Sequence, residues 1–534
     1  MNRTFFRLSL ITLGVCAASA HGGAQTPIQS TGIGLRTDGT CVLHAPMVLR
    51  VDHAAAGLEN GRNWKDAFIS LHDALAAAQQ GDQIWVAEGT YYTADPGGSQ
   101  ADTFTIPDGV MVFGGFSGIE TRLGQRDPAL HRTALSADIN RDDDTTGNFD
   151  IVTANGWNVV TMIGVESKTR LDGFDIETGH LQGATAPRSF GAGVHLNNSS
   201  PVIANCKFSF CVAQQGGAIY SDTGNPTIEA CTFTSNYSSG YISQGAAIYN
   251  GTGDMLITDS FFAGNRAEAP GGTAHGGAIY NSTGSILVEG CRFQGNIALP
   301  RGGAGPVARG GAVYVNGGLV RLTNSYFLSN LANIGGAVAT GDLVAASCEV
   351  YNSQFLGNDA VTTMLTPLTS AGGTSGAIYG GVNSIVDIVG CLVTGGTADN
   401  YGGAFVGGSG YVSSSIFWGN TDGRGNIGVS QIKASRVRYS CVMNMLVGEP
   451  GEDPPDPAKF PNSISLDPQF VTTPAGPYHL APTSPCIDAA DNTAWPLFLT
   501  TDFDGNPRFV DDVLIPDTGV GPAPVADMGP FEVQ

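Results

Sequence analysis

The side chains whose types and spacing suit chemistry are mostly carboxylates. Asp502, Asp504 and Asn506 alternate within Thr501–Arg508, with Gly505 permitting a turn, which is the opening ligand spacing of a calcium loop. The twelfth position is Val513, not the Glu that closes an EF-hand, so the competing expectation is an Asx-rich turn with Arg508 pairing locally. A second acid run, Asp142-Asp143-Asp144 with Asp138 upstream, reads as a solvated loop or as a calcium site. Structural calcium is the one cofactor the sequence suggests, and nothing in the sequence requires it.

Sugar-bond cleavage needs convergent carboxylates, or a carboxylate with a metal and a base, on one face. Asp175, Glu177, Glu229, Asp259, Glu289 and Asp387 fall at no common position of the repeat described next, and His180, His195 and His275 are scattered too. The expectation leans to a protein that binds rather than catalyses. The alternative is a polysaccharide lyase or glycosidase.

A repeat from about Gly191 to Asn420 positions these residues. Gly-Gly-Ala-Ile-Tyr stands at Gly216–Tyr220 and Gly276–Tyr280, with variants at Gly245–Tyr249, Gly310–Tyr314, Gly335–Ala339 and Gly402–Val406. A second phrase pairs Phe233, Phe262, Phe293, Phe327, Phe355 and Phe417 with Asn236, Asn265, Asn296, Asn330, Asn358 and Asn420, three residues on. Two residues before each Phe sits a small residue, such as Cys231 or Ser260. Phe208 belongs to the same series, with Cys211 in place of Asn, and Cys391-x-Val393 with Gly396 is a divergent copy. Copies lie 24 to 38 residues apart. A fixed core with variable insertions is the mark of a solenoid, in which each repeat buries its apolar side against its neighbours.

Short alternating runs such as Thr227–Phe233, separated by Gly, Asn, Ser and Asp clusters, are strands and turns, with no room for a helix inside a copy. The fold class is therefore all-β: a right-handed parallel β-helix of the pectin-lyase-like kind, with three strands and three turns per coil. Like residues stack about 4.8 Å apart. Phe makes an inward ladder and Ile219, Ile248 and Ile279 another. Asn makes a ladder at a turn, because it tolerates left-handed backbone and its amide can bond the next amide. In Gly-Gly-Ala-Ile-Tyr an inward Ile sends the next residue outward. Those residues are His195, Tyr220, Tyr249, Tyr280, Tyr314 and Tyr379, interrupted by Ala339. They are expected to form a column on one outer face, suited to lying against sugar rings or a protein partner. The plainer expectation is an aromatic ladder that only shields the glycine turn.

The Gly-Gly-Ala-Ile and Phe-x-x-Asn phrases resemble the repeats of chlamydial-type polymorphic outer membrane proteins, which implies a surface-exposed, often adhesive β-helix. Leu466–Phe470, Ser484–Ala489, Thr501–Arg508 and Asp527–Glu532 look like the C-terminal region of bacterial choice-of-anchor Q domain proteins. The Trp64 segment, the Trp85 strand and Phe113–Phe116 are similar to parts of the same proteins. The combined resemblance implies a secreted or cell-surface repeat protein, adhesin-like or carbohydrate-binding. Its implied partner is an extracellular glycan or a protein on a host or neighbouring cell.

Residues 1–20 read as a secretory signal, with Arg3 and Arg7, the apolar Leu8–Ala17 and the small residues Ala18–Ala20. Export to the exterior, the outer cell surface or the periplasm is expected, without a membrane-spanning helix in the mature chain. The expected divisions are a lead-in at 21–47, an N-terminal cap and first coils at 48–150, repeats at 151–445 and a wrapping region at 446–534. A helix near Trp64–Gln80, capped by Asn63 and ended by Gly81, presents Ala67, Leu71, Ala74, Leu75 and Ala78 as a lid for the first coil. The formal net charge of −22 argues against nucleic-acid binding, because phosphate contacts need basic clusters. A monomer is expected. Ten Cys become nine after signal removal, an odd number that argues against a full disulfide framework; Cys206 with Cys231, on adjacent coils, is the candidate pair.

Overall fold

The computed structural model describes residues 33–35, 41–143, 155–181, 190–301, 307–361, 373–399, 402–422, 431–433, 436–446 and 456–534. The signal segment at 1–20, Asp144 and most of 361–374 lie outside them. The chain divides at His44. The N-terminal unit is described by one antiparallel pair, Ile33–Leu35 with Cys41–Leu43.

Ala45–Gln534 is a right-handed parallel β-helix. The glycine phrases form one column of strands, whose inward rungs run Val194, Ile219, Ile248, Ile279, Val313, Val338, Ile378 and Phe405. A second column in the same sheet points Ile203, Ile228, Ile257, Val288, Leu322 and Val350 inward. The Phe strands make a separate sheet. Phe208, Phe233, Phe262, Phe293, Phe327 and Phe355 are in register and fully buried, with ring centroids 4.5 to 4.8 Å apart. Val393 and Phe417 continue the row.

The coil carries four strand columns, not three. After each Asn the chain pairs once more, in a narrow sheet from Val212–Ala213 to Thr421–Asp422. Small interior residues permit it: Ala267, Ala269, Ala274, Ala298, Ala308 and Ala332 pack together there. The segment Ala267–Ala274, inserted between repeat phrases, is for this reason two strands, Arg266–Pro270 and Thr273–His275, stacked on their neighbours. The insertion at Leu299–Ala308 likewise begins inside the strand Ile297–Arg301.

Two polar rows run inside the coil. Each Asn side-chain N–H donates to the next Asn carbonyl: Asn236 to Asn265 at 3.0 Å, Asn265 to Asn296 at 2.9 Å, Asn296 to Asn330 at 3.0 Å and Asn330 to Asn358 at 2.9 Å. Asn420 caps Gly396 N–H at 2.9 Å, and Asn236 caps Cys211 N–H at 3.3 Å, so the row survives both irregular copies. The left-handed residue is not the Asn but the one before it, as at Ser235 (φ 56) and Gly295 (φ 61). That lets the Asn amide turn inward to its neighbours while the preceding residue makes the corner.

The small-residue row works in the same way. Ser260 Oγ donates to Thr258 C=O at 2.8 Å and accepts Cys231 N–H at 3.0 Å. Cys206 and Cys231 are free thiols, each directed at main-chain carbonyls; Cys206 Sγ lies 3.2 Å from Ala204 C=O and Cys231 Sγ 3.4 Å from Glu229 C=O. The candidate pair is not bonded; the thiols fill the Ser hydroxyl's place.

The lid helix is shorter than expected, Leu71–Ala77, with Ser70 as N-cap. Phe68 bridges Val51 as if in a strand, and Trp64 Nε1 is tied to Glu120 C=O at 2.8 Å, so the chain cannot turn helical earlier. Asn63 caps an Asx turn instead, accepting Asp66 N–H at 2.9 Å. Leu71, Ala74 and Leu75 still cover the open end of the core. At the other end Phe460 enters the core. The chain beyond then wraps the outside of the last coils, where Leu480, Cys486, Ile487 and Met528 cover Leu356, Leu392 and Ile416. No helix among the described residues is long and apolar enough to cross a membrane.

Candidate ligand-binding site

The aromatic column forms, but it is not an open face. His195, Tyr220, Tyr249, Tyr280 and Tyr314 are in register and then Ala339 and Tyr379 follow. Ring centroids are 4.9 to 5.5 Å apart. Yet Tyr220, Tyr280 and Tyr314 are only 8, 5 and 4% exposed, and His195, Tyr249 and Tyr379 are half-buried. A second row covers them, drawn from the residue before each glycine phrase: Phe190, Gln215, Gln244, His275 and Arg309. Left-handed Gly216 and Gly276 (φ 59 and 66) fold that residue back beside the tyrosines. Phe190 stacks on Tyr220 at 4.7 Å and His275 on Tyr314 at 4.5 Å, while the Arg309 guanidinium lies 5.9 Å from the Tyr379 ring and 2.6 Å from Asp342. Burial, and then the Arg309 charge, push the His275 imidazole down to about 3. Sequence reasoning missed this cover, although a long or aromatic residue stands before Gly191, Gly216, Gly245, Gly276 and Gly310.

The C-terminal trio does not converge on one point. Asp502 Oδ1 accepts the backbone N–H groups of Asp504 at 3.0 Å and Asn506 at 2.8 Å, and its Oδ2 accepts Glu532 N–H at 3.2 Å. Asp504 is paired with His479 at 2.7 Å. This is the geometry of an Asx turn. Arg508 does not pair within it; it is buried, 4.1 Å from the Trp495 ring, and donates to Asp527 C=O at 2.7 Å and Gly529 C=O at 2.5 Å. Asp138, Asp142 and Asp143 do come together. There Asp138 accepts the N–H groups of Asp142 at 3.1 Å and Asp143 at 3.3 Å, and Asp143 accepts Asn155 Nδ2 at 2.5 Å. A further trio, Asp488, Asp511 and Asp517, converges from segments that the sequence did not connect.

The repeat acids are less scattered than their sequence positions imply. Glu229 and Glu289 share a row, two coils apart with Thr258 between. Arg321, Glu349 and Asp387 occupy successive rungs of another outward row. Arg321 Nε holds Glu349 at 2.6 Å, while burial, and more weakly the Glu349 charge, raise the Asp387 carboxyl above its ordinary range. Asp175 and Glu177 are both bound by Arg132 at 2.6 Å.

An open cavity of about 610 Å³ lies beside the lid helix. It is lined by Ile69–His72, Thr90–Asp95 and Asp102–Phe104, together with His53 and Arg141. Sequence-level reading assigned none of these residues to a site. His72 lies flat on Phe104, with centroids 4.5 Å apart, and its Nε2 is fixed 3.0 Å from Thr93 C=O. The Arg141 guanidinium sits 4.1 Å from the Tyr92 ring, and 3.9 Å from exposed Asp95. Asp102 is exposed as well. The cleft thus offers ring faces held by neighbours together with carboxylates and a guanidinium reachable by solvent. Such groups can hydrogen-bond the hydroxyls of a neutral ligand while its apolar face rests on a ring.

The family model described as "Right handed beta helix region" matches residues 192–417, and one described as "Protein of unknown function (DUF1565)" matches residues 57–268. Neither spans half of the chain. No curated protein matches. Among solved structures, the chain is similar to that titled "Crystal structure of pectate lyase Pel9A", at 13% identity over 92% of this chain and 97% of that one, with a TM-score of 0.41. It is also similar to the Yersinia enterocolitica Family 28 exopolygalacturonase, at 10% identity over 77% and 82% of the two chains, with a TM-score of 0.23. These overlays are too loose to transfer a residue's role.

Proposed function

We propose that the protein is an exported β-helix binding protein that holds an extracellular glycan in the cleft beside the lid helix, without cleaving it. The observation that carries this reading is the cleft: His72, Tyr92, Asp95, Asp102 and Arg141 meet around one open cavity of sugar-binding size. In this reading the stacked tyrosine column, buried at Tyr220, Tyr280 and Tyr314, supports the coils, and the binding face lies in the cap. A protein on a host or neighbouring cell is the other partner that an exposed, mixed polar and aromatic rim would suit. The test is a glycan panel incubated with intact protein, scored for both retained ligand and released products. Retention without products supports the proposal; absence of retention across a broad panel contradicts it.

One observation favours a second reading, a glycoside hydrolase. Glu349 and Asp387 stand on adjacent coils, the first paired with Arg321 at 2.6 Å and the second shifted toward its protonated form by burial. Carboxyls with such opposed environments can divide nucleophile and acid roles. Products that appear with the parent and vanish with Glu349→Gln would favour this reading over the first.

A further inference from the structure

Asp488 is an anomaly in the wrapping region. Its side chain is 0% exposed, yet neither carboxylate oxygen accepts a hydrogen bond. The hydrogen bonds that the residue does make are those of its backbone. Its N–H donates to Asp527 Oδ1 at 2.9 Å, and its C=O accepts from Thr518 at 2.9 Å and Gly519 at 3.1 Å. The Asp512 amide approaches the carboxylate without closing a bond of normal geometry. A covered carboxylate with no donor is costly, and such groups are ordinarily satisfied by a partner.

The surroundings offer more negative charge. Asp511 and Asp517 each bring an oxygen within 4.8 Å of the Asp488 oxygen and of each other. The charges acting on Asp488 are those of Asp527, Asp517 and Asp511, all of one sign. Arg508, buried in the same region, is directed instead at Asp527 C=O, Gly529 C=O and Glu532. Two oxygens on opposite sides of a calcium ion, each at about 2.4 Å, are about 4.8 Å apart, so three within that limit fit around one ion. An all-oxygen set on two separate segments suits calcium's larger and more flexible shell better than the strict octahedron of magnesium.

We propose that Asp488, Asp511 and Asp517 hold one divalent cation, calcium by preference, which clips the Asp511–Asp517 loop to the turn around Asp488. Asp511 and Asp517 are exposed, so replacing them leaves the core packing intact. The experiment uses full-length protein stripped with chelator and titrated with calcium chloride by calorimetry, with magnesium in a parallel arm. Calcium should bind in a one-to-one complex, and more tightly than magnesium. Asp511→Asn with Asp517→Asn should weaken that binding by about ten-fold or more, equivalent to about 1.4 kcal/mol. Calcium should also slow proteolysis of the 511–517 loop in the parent and not in the double variant. Asp142→Asn with Asp143→Asn, and separately Asp504→Ala, should leave the titration unchanged. No binding at millimolar calcium would overturn the proposal. Binding that survives the double variant, or that disappears with Asp504→Ala, would overturn it equally.

Discussion

Asn296 illustrates how single residues hold this solenoid. Its amide donates to Asn330 and to Phe262 C=O at 2.9 Å, and its carbonyl oxygen accepts the backbone and side-chain N–H groups of Asn265. Asn296→Ala would strand those buried donors, and a loss of about 1–3 kcal/mol is expected for each group left unsatisfied. Phe293→Ala empties a fully buried ring site between Phe262 and Phe327 and should cost about 3–5 kcal/mol in chemical denaturation. A change below measurement error would mean that the Phe row does not carry the core. His275 makes a pH prediction. Its folded value of about 3 lies below its ordinary value of 6.5, so the unfolded chain binds the extra proton between the two. Its contribution is full above pH 6.5 and is lost as the pH falls toward 3. His275→Phe keeps the stack on Tyr314 without a titrating group, so its melting temperature should fall less than the parent's between neutral and acid pH. Parallel profiles would show that His275 is not the group responsible.

At the scale of elements, the wrapping region is a bracket more than a plug. Trp495 and Leu499 pack on Tyr351 and Val389 at one face of the coils, and Ile487 and Met528 pack on Ile416 at another. Arg508 joins these segments from inside, with Glu532 3.7 Å away. Arg508→Ala leaves buried Glu532 without its charge partner and should cost about 3–5 kcal/mol. The first protease-sensitive cuts should then move into the 466–534 region; cleavage unchanged in rate and position would show that the bracket does not depend on Arg508. The strand rows were legible because Phe, Asn and Gly recur at fixed spacings and each type fits one place in a coil. The fourth strand was not, because Ala267 and Ala298 carry little pattern of their own. The lid helix was over-read because the Ala and Leu period continues across Phe68, which tertiary pairing with Val51 holds as a strand. The acid trio at Asp488 was illegible because its members come from turns more than twenty residues apart, joined only by the fold.

For the whole molecule, the repeats form the spine, and the proposed cleft and cation site lie in the segments before and after them. Three tyrosines of the expected stripe, Tyr220, Tyr280 and Tyr314, are buried beside a second row, whereas the cleft at His72 and Tyr92 draws on cap segments with no repeat to reveal them. A binding protein of this design should keep its affinity when exposed residues midway along the spine change, and lose it when the cleft changes. The most direct measurement is the equilibrium affinity for the glycan that a panel selects, compared between the parent, a His72→Ala/Tyr92→Ala variant and an Arg292→Ala control, all shown to be folded. The account predicts a weakening of about ten-fold or more in the cleft variant and none in the control. Equal affinity in the parent and the cleft variant would contradict it.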